Sequence, residues 1–453
     1  MPGRILGHFR SPPIPPKPRR VRWIIAIAAA WALATVASAQ TPAQVQSSPP
    51  PPRAVPDKAV ETPPHIESQI EALAQDGAEY ARLYDVPLAQ AMRELQAEQD
   101  SVPATDVLAQ EFRDRLAGIT IAHDGTFRIV VLLTGDVPVQ DRSITAGGLA
   151  IPVIFRIGAP ATRDQILAAI AAHQADIRAA LSSPPGMGVD PRTGMLAVMV
   201  KADEAGADGG QALAARLTKI AGVPVQLHVW SDADMDLSAA GGGRVIGFDP
   251  AIGRKGVCTS GFVVTDGMQT ALSTAAHCPD QLSYIEADKS EVPLTMIGAW
   301  GAWYQDVQIH TGAGPLPPLF FADKEKTQLR PVTSWRNRTS TRAGDLACHR
   351  GERTGYSCAE ILYPDYAPPG DLCAGPCMAT WVAVRGPTCK GGDSGGPVFA
   401  GTIALGLVKG ESHTGDGRCR LYYYMSTDYL PPGWTVAVQR PESERTSSPN
   451  PAP

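Results

Sequence analysis

The spacing of apolar residues divides the chain into a helix-rich first part and a strand-rich second part. From Ile66 to Leu83, apolar residues recur at three- or four-residue steps, which predicts an amphipathic helix. The same pattern predicts helices at Leu88–Glu98 and Val107–Leu116, and a hairpin running from Ile119 to Leu133. The chain therefore begins its folded part with helices that bury one face each.

The next segment alternates strands and helices in the order β-α-β-β-α-β. Its second element opens with Thr162-Arg163-Asp164-Gln165, a capping box that starts a helix. The remaining elements are predicted at Leu149–Ile157, Met187–Val189, Met195–Val200, Gln211–Ala221 and Val223–Trp230. This order is typical of a split βαβ unit, so residues of about 66–232 are expected to form an α+β region.

Helical periodicity disappears after the Gly-rich segment Asp232–Gly243. Short β-prone runs separated by Gly and Pro turns follow, which is typical of an all-β barrel or sandwich. These runs are Gly261–Val264, Leu294–Gly298, Val307–His310, Thr380–Val384, Val398–Phe399, Ile403–Val408 and Leu421–Met425.

The N-terminus resembles an export signal. Basic residues precede the apolar stretch Trp23–Val36, and Ala37-Ser38-Ala39 supplies a small-x-small cleavage site. Residues 1–39 are therefore expected to be a cleaved signal peptide; an uncleaved membrane anchor is the alternative. Residues 40–64 are a Pro-rich linker and residues 441–453 a disordered tail.

Composition narrows the possible partners and the compartment. A net charge of −5 gives no electrostatic argument for nucleic acid. Only one apolar run approaches membrane length, which excludes a multi-span membrane protein. All eight cysteines lie between Cys258 and Cys419, which indicates a disulfide framework in an exported protein. Their spacing does not fit a zinc site, and nothing indicates an organic cofactor.

Three residues in the second half carry the chemistry. Ser394 lies within Gly392-Asp393-Ser394-Gly395-Gly396-Pro397, where glycines allow a tight turn and let amide hydrogens face a substrate carbonyl. A serine nucleophile needs a base and an acid that orients the base. His277, beside Cys278, is the candidate base, and Asp306, at the start of an apolar strand, is the candidate acid.

Other assignments of these residues are possible. Asp280 and Asp288 also lie between the base and the nucleophile, although Asp280 is very close to His277 and Asp288 lies in a polar turn-like stretch. Gly-x-Ser-x-Gly also fits the nucleophile elbow of an α/β-hydrolase esterase, which needs an acid and then a histidine after the serine. Only His413 follows Ser394, and strand–helix alternation is absent there.

Several motifs together resemble the chymotrypsin-fold serine endopeptidases. Thr274–Cys278 and Gly392–Pro397, in the order His, Asp, Ser, resemble that fold's active site. Cys348–Cys358 and Leu405–Gly410 are similar to a bridged loop and a substrate-binding strand of the bacterial secreted branch, which includes streptogrisins and α-lytic endopeptidase. Gly188–Gly194 is similar to a turn in the propeptides of that branch.

The resemblance implies a fold and a set of roles. The fold is an all-β catalytic domain of two antiparallel six-stranded β-barrels, preceded by an α+β propeptide. His277 is then the general base, Asp306 its orienting acid and Ser394 the nucleophile, with the amides of Gly392 and Ser394 as the oxyanion hole. Asp393 needs a cationic partner, for which Arg350 is the candidate. The implied bridges are Cys258–Cys278, Cys348–Cys358 and Cys389–Cys419, which leaves Cys373 and Cys377 to pair locally.

The resemblance also implies a secreted, extracellular or periplasmic zymogen without a metal or cofactor. The propeptide assists folding and blocks the active site until the chain cleaves itself between Trp230 and Gly241. Protein or peptide substrates and the chain's own propeptide are the expected partners, with no nucleic acid, no membrane after signal cleavage, and a monomeric state. The expected domains are residues 1–39, 40–64, 65–238, 239–440 and 441–453.

The substrate-binding strand departs from the family pattern. Lys409 stands where the family usually has serine, and Glu411 where glycine is common, with Gly410 between them. A Glu411 carboxylate in the pocket favours basic substrate residues, whereas a Lys409 amine favours acidic ones, and the sequence does not decide between them. A catalytically silent binding module with the same fold is the alternative function, although a binder has no need of a complete triad.

Overall fold

The computed structural model describes residues 64–206, 208–230, 235–236, 242–249, 253–312, 316–370, 372–414 and 417–439, all within one compact unit, Glu61–Pro453. The expected signal peptide, the linker up to residue 63 and the C-terminal tail lie outside the described residues. None of the described helices is long and apolar enough to cross a membrane.

The helices of the N-terminal region begin at recognisable caps. Ser68 and Glu71 form a capping box at the first helix, and Thr162 and Gln165 form the one predicted at the fourth. The third helix begins five residues before the predicted start, because Pro103 fits a first helical turn. It ends at Glu111, and Leu116, predicted to be helical, already belongs to a strand. The helices are α1 (Gln69–Tyr84), α2 (Leu88–Asp100), α3 (Val102–Glu111), α4 (Arg163–Ala179) and α5 (Gln211–Ala221).

The strands of this region are β1 (His65–Ile66), β2 (Leu116–Ala122), β3 (Arg128–Thr134), β4 (Arg142–Ala146), β5 (Leu149–Ala159), β6 (Gly186–Asp190), β7 (Met195–Lys201) and β8 (Val225–Trp230). Apart from β1, they lie in two sheets and not in the single split βαβ sheet that the sequence suggested. One sheet has the order β2-β3-β5-β4, so both edges of β5 are already paired and β6 cannot join it. The strands β6, β7 and β8 instead lie side by side in a second sheet.

The rest of the described chain is almost entirely β-structure, as the Gly- and Pro-punctuated pattern predicted. Short 3-10 helices lie here at Arg338–Ser340 and Thr427–Tyr429, and a further one lies in the N-terminal region at Ala202–Glu204. The strands are β9 (Met235–Asp236), β10 (Arg244–Asp249), β11 (Arg254–Thr259), β12 (Val263–Thr265), β13 (Thr270–Thr274), β14 (Leu282–Ile285), β15 (Glu291–Pro293), β16 (Thr295–Trp300), β17 (Val307–Thr311), β18 (Leu319–Phe321), β19 (Gln328–Pro331), β20 (Ser334–Trp335), β21 (Leu346–Gly351), β22 (Gly355–Ala367), β23 (Trp381–Arg385), β24 (Pro397–Ala400), β25 (Ile403–His413), β26 (Cys419–Ser426) and β27 (Thr435–Val436).

These strands form two barrels, which confirms the predicted fold class. The first is built from the antiparallel sheets β11-β10-β14-β15 and β16-β17-β13-β12-β27. The second runs β21-β24-β25-β26-β23-β22 and closes because β22 also pairs with β21. A core of buried apolar side chains that includes Phe262, Trp381 and Phe399 fills the region where the two sets of strands meet.

The N-terminal region is hydrogen-bonded to the C-terminal β-structure by two strand pairings. β6 extends the second barrel by pairing antiparallel with the end of β22, where Gly188 lies opposite Tyr366. β1 pairs parallel with β19, where Ile66 lies opposite Leu329. Through β6 and β22, the α+β region and the second barrel therefore share one continuous sheet in the full-length chain.

Candidate active site

His277 lies in a turn that follows β13 and is fixed on both sides. Before it, the Thr274 hydroxyl donates a 2.5 Å hydrogen bond to the carbonyl of Thr259. After it, a disulfide joins Cys278 to Cys258 on β11. These links tie the turn to the barrel wall, so the backbone that carries the His277 imidazole is held in place.

Asp306 directly precedes β17 and is 2% exposed. Its Oδ1 accepts a 3.0 Å hydrogen bond from the backbone N–H of His277, and its Oδ2 lies 2.7 Å from His277 Nδ1. Burial alone raises the pKa of Asp306, but the charges of His277 and Lys409 and the hydrogen bonds from His277 outweigh it and lower the pKa to about 2. The carboxylate is therefore ionised at any pH at which the imidazole is neutral.

Ser394 is fully buried, and its Oγ lies 2.9 Å from His277 Nε2. The surrounding glycines are needed for this geometry. Gly392 has a φ of +133° and Gly395 a φ of +81°, which L side chains rarely adopt. A Cβ at Gly395 would also lie 2.2 Å from the Thr274 hydroxyl oxygen. The nucleophile turn can therefore approach the histidine turn only with glycine at this position.

The structure brings His277, Asp306 and Ser394 into one continuous hydrogen-bonded line. The other acids considered from sequence, Asp280 and Asp288, are both exposed. The chain leaves Ser394 into β24 of an antiparallel barrel and not into a helix, so the nucleophile elbow of an α/β-hydrolase is absent from this segment.

Asp393 is held by the backbone of the turns beside it. Its carboxylate accepts hydrogen bonds of 3.0 to 3.1 Å from the N–H groups of Arg353, Thr354 and Lys390, and one of 2.7 Å from the Thr354 hydroxyl. The guanidinium of Arg350, the partner expected from sequence, donates to the carbonyls of Asp323 and Lys324 and to Glu352. These amide donors keep the nucleophile turn rigid.

The three substrate-strand residues have different environments on β25. The Lys409 ammonium lies 3.3 Å from Asp306 Oδ2, and both side chains are 2% exposed. The backbone of Gly410 lies close to the Tyr423 side chain, since a Cβ at Gly410 would lie 2.6 Å from the Tyr423 hydroxyl oxygen. Glu411 is 1% exposed. Burial and the negative charge of Asp393 raise the pKa of Glu411 to about 8, although a hydrogen bond from the backbone N–H of Gly391 lowers it in part.

The two-residue strand β9, from the segment between the α+β region and the barrels, lies against this part of β25. The backbone of β9 pairs antiparallel with it, so that Asp236 lies opposite Gly410 and Met235 lies opposite Glu411. An extended segment added to an exposed strand edge is the way in which many proteins bind peptides.

The eight cysteines form the four pairs expected from the sequence, including the local pair Cys373–Cys377. The others are Cys258–Cys278, Cys348–Cys358 and Cys389–Cys419. Two described clusters bring three potential metal ligands within 4.8 Å, but their cysteines are disulfide-bonded and cannot supply thiolates; they are Asp76 with Cys348 and Cys358, and Glu411 and His413 with Cys389.

Sequence reasoning missed two features of the site. It placed Lys409 in the substrate pocket and did not foresee its contact with Asp306. It also treated residues 232–243 as an exposed segment and did not foresee that β9, within it, pairs with β25. No local pattern signals either feature, because each depends on how β25 lies beside residues distant in the chain.

Of the comparisons with known proteins, only the one with solved structures finds similar proteins. No protein-family model and no curated protein matches the chain. Similar solved structures are bacterial chymotrypsin-fold serine proteases. A glutamic-acid-specific serine protease is 23% identical, with a TM-score of 0.36, and the match covers 44% of this chain and 100% of that one. Protease A of Thermobifida fusca is 20% identical, with a TM-score of 0.36 and coverages of 44% and 98%. The α-lytic protease homologue N4 is 19% identical, with a TM-score of 0.31 and coverages of 42% and 93%.

Proposed function

We propose that the chain is a secreted serine endopeptidase made as a self-processing zymogen. The observation that carries this proposal is the line from Asp306 through His277 to Ser394, with heavy-atom distances of 2.7 and 2.9 Å. The second distance allows proton transfer from the nucleophile to its base, and the first is a hydrogen bond that orients the base.

The proposed reaction proceeds through an acyl-enzyme. Ser394 Oγ attacks the carbonyl carbon of the scissile peptide bond while its proton passes to His277 Nε2. The tetrahedral oxyanion receives hydrogen bonds from the amides of Gly392 and Ser394, and the leaving amine takes the proton from His277 as the C–N bond breaks. Water then repeats the sequence on the ester, which releases the acid and restores the serine hydroxyl.

Asp306 has two roles in this scheme. Its hydrogen bond at Nδ1 keeps the imidazole proton on that nitrogen, so that Nε2 is free to accept the proton of Ser394. Its negative charge stabilises the imidazolium that forms during attack. The low pKa of the carboxyl means that Asp306 itself stays ionised throughout the reaction.

Latency before processing is supported by the position of β9. This strand pairs with Gly410–Glu411, next to the triad, where an extended peptide substrate is expected to add. Ser394 is completely buried in the full-length chain. We propose that the linker occupies the substrate cleft and that cleavage between Trp230 and Gly241 releases it, with the N-terminal region acting before that as a folding aid and inhibitor.

Export is supported by the four disulfides, since such bonds persist in oxidising compartments. The proposed enzyme is monomeric, works outside the cytoplasm on protein or peptide substrates, and uses no cofactor.

The decisive experiment compares the secreted wild type with Ser394→Ala by intact mass and N-terminal sequencing. Wild type is expected to lose about half its mass and to begin between Trp230 and Gly241, while Ser394→Ala stays full length. Ser334→Ala, which changes an exposed serine on β20, is the matched control and should mature normally.

Two other outcomes would change the conclusion. If wild type and Ser394→Ala mature alike, another protease makes the cut and activity has to be shown on added substrates. If neither is processed and no peptide library is hydrolysed, the chain is a binding module that retains the barrel fold.

A further inference from the structure

The side chain of Lys409 leaves β25 at an irregularity in the strand. The pairing of β25 with β26 shifts register between Val408 and Gly410, so Lys409 is the additional residue of a β-bulge. A bulge turns a side chain away from the direction that regular alternation would give it. On either side the strand is held in place, because Val408 exchanges backbone hydrogen bonds with Gly395 and Gly396 and Gly410 pairs with β9.

The bulge directs the Lys409 ammonium to the carboxylate of the candidate triad. Lys409 Nζ lies 3.3 Å from Asp306 Oδ2, the same oxygen that lies 2.7 Å from His277 Nδ1. The ammonium also lies 6.0 Å from the centre of the Trp381 ring, which is completely buried. An ammonium that is 2% exposed is costly to desolvate unless an anion and a π face stabilise it, and this site supplies both.

We infer that Lys409 is a positioning residue that fixes Asp306 and shifts the working range of His277 toward acidic pH. The inference rests on the proposed function, in which neutral His277 is the general base. In the acid limb of activity, His277 takes up a proton and becomes an imidazolium. A second cation bound to the same carboxylate oxygen weakens the stabilisation that this imidazolium receives, so protonation needs a lower pH.

The groups in contact with His277 and Asp306 come from separate elements of the fold. The imidazole faces Asp306 from the segment before β17 and Ser394 from the nucleophile turn. The carboxylate faces Lys409 from β25, while its own backbone N–H donates to the sulfur of Met425 on β26. Glu411, two residues further along β25, is directed toward Gly391 and His413 instead.

The test measures the titration of the His277 ring directly, together with the pH dependence of kcat/KM. Ring titration is followed by NMR of histidine-labelled full-length protein in the Ser394→Ala background, with and without Lys409→Met. Methionine keeps the length of the side chain and removes the charge. We expect the titration midpoint, and the acid limb of kcat/KM in the Ser394-containing enzyme, to rise by about one pH unit. Lys409→Arg should retain the midpoint, because it keeps the positive charge.

Lys390→Met is the charge-matched control, since Lys390 is exposed beside the nucleophile turn and solvent screens its charge. It should leave the midpoint unchanged. A Lys409→Met variant that is folded by its NMR spectrum and has an unchanged midpoint overturns the inference. If Lys409→Met does not fold, Lys409→Gln replaces it, with the same expected shift. A shifted midpoint in a protein that hydrolyses no peptide keeps the inference about Lys409 and rejects the endopeptidase, so the two failures are distinct.

Discussion

The carboxylate of Asp76 on α1 accepts a 2.9 Å hydrogen bond from the guanidinium of Arg330 on β19, 254 residues further along the chain. Arg330 also donates a 2.6 Å bond to Glu67, and its side chain has no exposed area. The other oxygen of Asp76 accepts from the backbone N–H of Gly401 at 2.7 Å. The N-terminal region thus supplies the counter-charges for a buried cation on β19.

This contact predicts that Asp76 contributes strongly to the stability of the full-length chain. In the Ser394→Ala background, which is expected to prevent cleavage, Asp76→Asn should lower the free energy of unfolding by about 3–5 kcal/mol. The physical reason is that Arg330 keeps its buried charge after losing a partner. Urea unfolding followed by tryptophan fluorescence measures the loss.

The exposed ion pair of Arg82 and Glu79 on the same helix provides the control. Glu79→Gln breaks a surface contact in which the two side chains are 58% and 28% exposed, so it should cost less than about 1 kcal/mol. Equal losses in Asp76→Asn and Glu79→Gln would show that the buried contact contributes no more to the free energy of unfolding than the surface ion pair does.

The triad geometry predicts a large and selective effect of Asp306→Asn on catalysis. An asparagine cannot stabilise the imidazolium and favours the wrong histidine tautomer, so kcat should fall about 10⁴-fold. Asp288→Asn removes an exposed carboxylate and should leave kcat unchanged. The linker of each variant is first cut by an added protease that is then removed, and steady-state hydrolysis of a peptide substrate distinguishes the two proteins. A comparable loss in Asp288→Asn would reject the assignment of the acid.

Much of this site could be predicted from the sequence because its key segments are local. The glycines around Ser394 and the cysteine beside His277 specify their own turns, and the four disulfide pairs agree with those expected. The capping box at Thr162 likewise predicted the start of α4. In each case, neighbouring residues determine the conformation.

The features that escaped prediction depend on long-range pairing. The β-bulge at Lys409 arises from the register of β25 on β26, and a sequence pattern cannot show which way the side chain then points. The separation of β5 from β6 has the same origin, since β3 and β4 occupy both edges of β5. The early start of α3 is the exception, because it follows from the local fit of Pro103 to the first turn.

Glu411 should make the stability of the protein depend on pH between about 5 and 8. Burial raises the pKa of Glu411 from 4.5 to about 8 in the folded protein. Above pH 4.5 the unfolded chain therefore releases a proton that the folded chain retains, so stability falls as pH rises until the folded carboxyl also ionises near pH 8. Glu411→Gln removes this titration, and its free energy of unfolding should decline less over that range.

Urea unfolding at several pH values in the Ser394→Ala background checks this difference. Glu325→Gln, which changes an exposed glutamate, should follow the unsubstituted curve. If Glu411→Gln follows that curve as well, the folded protein does not hold the Glu411 carboxyl protonated.

The four disulfides should contribute unequally to stability, in the order of the loops they close. Cys389–Cys419 joins residues 30 apart in sequence, whereas Cys373–Cys377 joins residues 4 apart. Because a crosslink restricts the unfolded chain more when its loop is longer, replacing the first pair by alanines should cost about 4 kcal/mol and the second about 2 kcal/mol. Urea unfolding of the two double variants, again with Ser394→Ala to prevent autolysis, measures both losses under oxidising conditions. A larger loss for the Cys373–Cys377 variant would mean that this short bridge acts mainly on the folded state. There it holds the turn in which the carbonyl of Cys373 accepts a hydrogen bond from the backbone N–H of Trp303.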